Sequence, residues 1–241
     1  MTGEESTPSI DSVSLPADSD DRRALAERLL DRADDDPESI THEEMATVVS
    51  LLSVDDVDGR VAAAETLQHL HDRPDLFAPF VEAILAAVEP YPEGVDGIPA
   101  PIEWMGSAEI RALVYVSDSL ARVAQERPGP FVPHADDLRD RLRSEANHPR
   151  SLLFVVGYAE AEAPGTVSRA WLKGELCELL DRGRGNGYPS WAADTLRALG
   201  DPDVLPALRA AHPGEDGDDP TREAFDDAIE TLEAVDGHGR A

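Results

Sequence analysis

The 241-residue chain contains one cysteine, one lysine and three methionines, and its aromatic residues are sparse. The lone Cys177 rules out an internal disulfide and any metal site built on cysteines. Lys173 is the one lysine among 21 basic residues, so the other 20 are arginines. No apolar run approaches the roughly 20 residues of a membrane-spanning helix, so no membrane partner is expected. The N-terminal stretch "MTGEESTPSIDSVS" is polar and acidic, unlike a secretory signal, and a cytoplasmic location is expected.

Negative charge, by contrast, is everywhere. Fifty aspartates and glutamates give a net charge of −29. Phosphate recognition needs a basic surface, so nucleic acid is an unlikely main partner on this composition, as are anionic lipids. Replacement of lysine by arginine under a carboxylate-rich surface resembles the proteins of salt-in halophiles. In about 1 M salt the Debye length shrinks to about 3 Å, which screens self-repulsion and lets such a fold hold.

Residues 1–20, rich in Ser, Asp, Glu and Pro, read as a disordered acidic tail, and residues 237–241 as a flexible C-terminal one. Between them the apolar residues fall at helical spacing. Leu25, Leu29 and Ala33 share one face; Met45, Val48, Val49 and Leu52 share another. Val57, Val61, Ala64 and Leu67 follow, then Val81, Ile84, Leu85 and Val88, then Ile110, Leu113, Val114, Ser117 and Leu120. The pattern runs on through Leu172, Leu176 and Leu179 to Phe225, Ile229 and Leu232. "LLFVVGYA" (152–159) has strand-like content. A lone strand would lack a pairing partner, so a helix buried on most sides is expected.

Proline doublets punctuate this pattern. "HDRPDLFAPF" (71–80) and "QERPGPFVPH" (125–134) align position for position, and "GDPDVLPAL" (200–208) repeats the device one residue shorter. The first proline disfavours helix in the residue before it, and the second falls near the next helix's first turn, where a missing N–H costs little. Each doublet is thus expected to mark a corner between antiparallel helices. The first two copies lie 54 residues apart because of an insertion at 90–107 containing Pro90, Pro92, Pro99 and Pro101; without it the period approaches the roughly 40 residues of a two-helix repeat.

The stretch "WAADTLRALGDPDVLPALRAA" (191–211) resembles the HEAT repeat, in particular the short variety shared with phycobilin lyases. Ala192, Ala193, Leu196, Leu199, Gly200, Asp201, Pro202, Leu205, Pro206 and Leu208 carry the resemblance; Trp191 departs from it, as does the long insertion. The resemblance implies an all-α fold, an α-solenoid or HEAT-like superhelix of about five antiparallel helix pairs over residues 21–236, in which stacked neighbours bury each other's apolar faces.

No reaction centre emerges from the sequence, and no catalytic residue, metal ligand or cofactor is assigned. His42-Glu43 resembles one of the His-Glu dyads of the HEAT-like deoxyhypusine hydroxylases, but it is not repeated, and "THEE" (41–44) also reads as a helix start with Thr41 and Glu44 forming a capping box. "DRGRGNGYPSW" (181–191) carries arginines and aromatics in a glycine-rich loop but fits no phosphate-binding motif. The insertion is long enough to be functional and ends in Trp104 and Met105, residue types favoured at binding surfaces.

The expected function is a non-catalytic scaffold binding a protein partner along a concave helical face, with Trp104, Met105, Arg184 and Tyr188 as candidate anchors. The alternatives are an enzyme or enzyme accessory of the lyase or hydroxylase kind and, with Arg139, Arg141, Arg143 and Arg150 as a local basic cluster, nucleic-acid binding as in HEAT-like DNA glycosylases. The charge itself yields a prediction: the unfolding midpoint should climb steadily as KCl is raised from dilute buffer to molar concentration, followed by circular dichroism. A salt-independent midpoint would contradict the screening argument.

Overall fold

The computed structural model describes residues 10–91, 107–144, 147–182, 188–214 and 219–239. All regular structure among them is helical. The α-helices are α1 (Ser19–Asp35), α2 (His42–Leu51), α3 (Val57–His69), α4 (Pro74–Phe77), α5 (Val81–Ala86) and α6 (Ala108–Glu126). They continue with α7 (Ala135–Arg143), α8 (Leu152–Glu162), α9 (Arg169–Arg182), α10 (Tyr188–Leu199), α11 (Leu205–Ala211) and α12 (Asp219–Gly239). No helix among the described residues is long and apolar enough to cross a membrane.

Alternate elements pack side by side. In one row α1 lies against α3, α3 against α6, α6 against α8, α8 against α10, and α10 against α12. The shorter helices between them form the other side of the stack, with α7 against α8, α9 against α10, and α11 against both α9 and α12. This is the solenoid-like, all-α arrangement expected from the periodicity. Single contacts show the long helices running parallel. Ser117 on α6 meets Ser151 at the head of α8, and Ala121, Arg122 and Gln125 lie alongside Phe154 and Tyr158. In α10, Tyr188 and Trp191 pack on Phe154, and Thr195 reaches Gly157.

The corners follow their local chemistry. After α3, Pro74 opens the short α4, a 3-10 turn Ala78–Phe80 contains Pro79, and α5 starts at Val81. After α6, Pro128 precedes the 3-10 turn Gly129–His134, which holds Pro133, and α7 follows. At the third corner Gly200 adopts φ +68, a left-handed geometry that glycine reaches without a Cβ clash. The Asp201 carboxylate then accepts the Asp203 N–H at 3.0 Å, and Lys173, the sole lysine, reaches over from α9 to pair with it. Hydrogen bonding from Lys173 holds the Asp201 carboxyl below its usual range. Neighbouring units are tied by arginines to backbone carbonyls: Arg73 to Pro37 O at 3.0 Å and Arg141 to Leu85 O at 2.9 Å. At the start of α2, Thr41 and Glu44 form the reciprocal capping box, so the His42-Glu43 pair occupies an ordinary helix start.

Two boundaries differ from expectation. Residues 10–18, assigned above to a disordered tail, are packed: Ile10–Ser12 form a 3-10 turn and Ile10, Val13 and Leu15 lie against the core. Three apolar side chains in six residues suffice to anchor the segment, and Asp18 caps α1 through the N–H groups of Asp20 and Asp21. At the other end, α12 runs on to Gly239, past the expected limit at 236.

The centre of the stack is α8. Every residue from Ser151 to Glu160 is buried, which is why "LLFVVGYA" shows no amphipathic period. At its end the Glu160 carboxylate accepts the N–H groups of Gly165 and Val167 and an N–H from Arg169 at 2.8 Å. Burial would raise its pKa, but these bonds outweigh that and lower it. Gly157 makes the closest approach: a Cβ there would sit 2.1 Å from Thr195 Cγ2. That methyl cannot easily move, because Thr195 Oγ1 donates to Trp191 O at 2.8 Å and β-branching restricts its rotamer. We therefore expect Gly157→Ala to destabilise the protein by about 1–3 kcal/mol through overpacking. Adding Thr195→Ser, which removes the methyl and keeps the hydroxyl, should restore most of that loss in chemical denaturation. A double variant no more stable than Gly157→Ala would place the strain elsewhere.

Candidate functional site

One stripe of α6, formed by Ile110, Val114, Asp118, Ala121 and Gln125 at spacings of three and four, faces along the long row. Tyr91, just after α5, packs on Ile110 and Val114 at the start of this stripe and donates its backbone N–H to Asn147 O at 2.6 Å. One turn on is Asp118. The head of α8 abuts it there, with Ser151 Oγ donating to Ser117 Oγ at 2.8 Å and Ser117 Oγ to Val114 O at 3.1 Å. Tyr188, at the start of α10, packs its ring on Phe154 with centroids 5.6 Å apart. The tyrosines, serines and aspartate thus meet where four segments converge.

Asp118 is the outlier in this group. Its Oδ1 is buried and has no hydrogen-bond partner, as is also true of Tyr91 Oη, among the described residues. Burial pushes the Asp118 pKa up to about 7, against the opposing hydrogen bond of Ser151 and the field of Arg122. Burial also raises the Tyr91 and Tyr188 hydroxyls, and the Asp118 charge adds to both shifts. Nearby His148 is lowered, by burial first and then by Arg141.

Further along the same stripe lies a second feature. Arg122, exposed on α6, places its guanidinium carbon 5.2 Å from the centroid of the Trp191 ring on α10. The two side chains meet across α8 and roof over Phe154 and Tyr158, together with Ala121 and Gln125, so tightly that no water fits between them. Trp191 packs edge-on against Phe154 at 5.4 Å. Beneath it the Tyr158 hydroxyl is pushed up to about 12, mainly by burial and against its hydrogen bond to Thr195.

Of the anchors expected from the sequence, Trp104, Met105 and Arg184 lie outside the described residues. Tyr188 does not serve as an exposed anchor: it is 3% exposed, because its ring fills the space between α8 and α10. The half-buried aromatic of that segment is its neighbour three residues on, Trp191, whose only signal in the sequence was its departure from the HEAT pattern. Of the four arginines in the expected basic cluster, three are engaged and Arg143 is exposed. Arg139 bonds Asp136 and Asp140, Arg141 bonds a backbone carbonyl, and Arg150 meets Glu175 at 3.0 Å. The insertion lies largely outside the described residues, but its flanks Pro90 and Glu109 line a hollow of about 170 Å³ between α3 and α6, shared with Arg60 and Leu113. No three His, Cys, Asp or Glu side chains are grouped for a metal among the described residues. Cys177 is half-buried, with its thiol pKa raised by burial despite Lys173.

The sequence matches no family model and no curated protein. Among solved structures, the chain is similar to the crystal structure of an engineered protein determined as a structural-genomics target, with a TM-score of 0.55 at 17% identity over 91% of this chain and 93% of that one. The likeness extends to the fold.

A native acid that holds its proton more tightly than the unfolded one, whose ordinary value is 3.8, costs stability as pH rises from about 4 through about 7; above that the cost is constant. Asp118→Asn should remove this slope and leave the variant more stable than wild type above neutrality, by up to about 4 kcal/mol. Urea unfolding at about pH 5 and pH 8 measures both. Equal slopes in the two proteins would show that Asp118 titrates normally.

Proposed function

We propose that the protein is a HEAT-like, non-catalytic scaffold that holds a protein partner on the face of the long helices over α8. The observation that carries this reading is the Arg122–Trp191 pair. Arginine, tryptophan and tyrosine dominate the energetics of protein interfaces, especially where they stand over a well-packed base. Here Arg122 and Trp191 stand over Phe154 and Tyr158 on a fully buried helix, so a partner would meet a rigid, preorganised patch rather than flexible side chains. A concave superhelical surface supplies the shape, and concentrated salt leaves apolar, stacked and hydrogen-bonded contacts as the useful ones. The halophilic and cytoplasmic setting belongs to the same reading.

Affinity capture from cells in concentrated salt tests it. Arg122→Glu should weaken retention of the specific partner by about 30-fold, the scale of a 2 kcal/mol hot spot. Arg143→Glu, which changes the same charge at an exposed position on α7, should leave retention unchanged. Identical recoveries with both variants would exclude this patch. Deleting 90–107 in the same assay examines the insertion, and unchanged recovery would remove it from the interface.

A further inference from the structure

The Asp118 site is chemically distinct from the Arg122–Trp191 patch one turn away. It offers a carboxylate oxygen and a tyrosine hydroxyl that are buried and lack hydrogen-bond partners among the described residues, beside Ser117, whose hydroxyl donates to Val114 O, and Ser151, which lies within hydrogen-bonding reach of both Ser117 and the carboxylate. Tyr91 is 5% exposed, whereas Asp118 as a residue retains part of its surface. All the unmatched capacity at the carboxylate is for accepting hydrogen bonds. A buried carboxylate left in this condition is costly unless a donor meets it.

We infer that the unmatched Asp118 carboxylate, beside Tyr91, Tyr188 and Ser151, is a binding site for an alkylguanidinium or alkylammonium group. A guanidinium offers several N–H donors to the carboxylate and a flat face to aromatic rings. A metal ion is a poorer fit, since Asp118 is the sole carboxylate of the cluster and no three-ligand grouping exists among the described residues. Among the described residues the guanidinium whose field reaches Asp118, that of Arg122, lies over Trp191. Among the described residues, the charged and titratable groups coupled to Asp118 are Arg122 from α6, Tyr91 from the segment after α5, and Tyr188 from α10. The tyrosines stay protonated and His148 is held below its ordinary value, so Asp118 dominates the change in charge near neutrality. The cation selects the ionised carboxylate and competes with its proton.

The site stands whether or not the scaffold reading holds, because it can be titrated directly. In calorimetry of the full chain at constant ionic strength, n-butylguanidinium should bind saturably and one-to-one at pH 8. At pH 6 it should bind about tenfold more weakly, as the carboxylate protonates. Asp118→Asn should abolish the binding, and the neutral isostere n-butylurea should give no saturable heat. Loss of binding in that variant cannot be ascribed to misfolding if its unfolding midpoint equals or exceeds that of wild type. No saturable heat from folded wild-type protein at pH 8, equal binding by Asp118→Asn, or equal binding of n-butylurea would each overturn the assignment. Release of a captured partner by n-butylguanidinium would identify the natural cation as an arginine of that protein. Binding that leaves capture unchanged would identify a free small molecule.

Discussion

The structure depends on the close approach of α8 and α10, where Gly157 faces the methyl of Thr195. A stack of helix pairs has a continuous core only if each long helix meets the next at full packing density. At α8 the requirement is stricter, since its whole first three turns are enclosed. Helices α6 and α10 flank it, α7 and α9 pack against it, and Arg122 and Trp191 roof it. With no solvent-facing side, α8 cannot relieve a misfit by tilting outward. The residue without a Cβ therefore stands where the helices come closest, and the neighbouring threonine is fixed by its own hydrogen bond.

The corners were legible in the sequence because their chemistry is local. Proline doublets, Gly200 and Asp201 impose turns through φ restrictions and a single side-chain cap, and the structure places turns at each. Thr41 and Glu44 were legible for the same reason. The site was not, because it is assembled from distant segments. Asp118 is one of 50 carboxylates, and nothing in "VSDSL" distinguishes it until Tyr91, Ser151 and Tyr188 are brought around it. Tyr188 and Trp191 exchange roles for a rotational reason. Three residues apart on one helix, they sit one turn apart on nearly the same face, and the packing of α8 decides which is covered. Residues 10–18 show the converse error: a polar composition masked three apolar residues that dock on the core.

The arginines explain how so acidic a chain closes its corners. Several bond backbone carbonyls in a neighbouring unit, as Arg73 and Arg141 do. Such bonds are only partly exposed and are screened less by salt than surface ion pairs, most of which contribute little. Guanidinium also suits these positions better than ammonium, because its planar fork can serve a carbonyl and a carboxylate together. Arg73 does so, with Pro37 O on one side and Glu38 and Asp75 nearby.

Against that background Asp118 is the anomaly that needs a cause. Other carboxylates drawn into the stack are matched. Glu160, fully enclosed, receives two backbone N–H groups and an arginine, and Asp201 receives lysine and a backbone N–H. The chain therefore has the means to neutralise such an acid and uses it twice from the first turns of α9. At Asp118 the Arg122 guanidinium lies over Trp191 instead, and Oδ1 is left without a donor among the described residues. Natural proteins tolerate such local conflicts mostly where binding requires them. A carboxylate kept unmatched in the free protein gains its donor only on binding, so its burial lowers stability and sharpens recognition through the same desolvated oxygen.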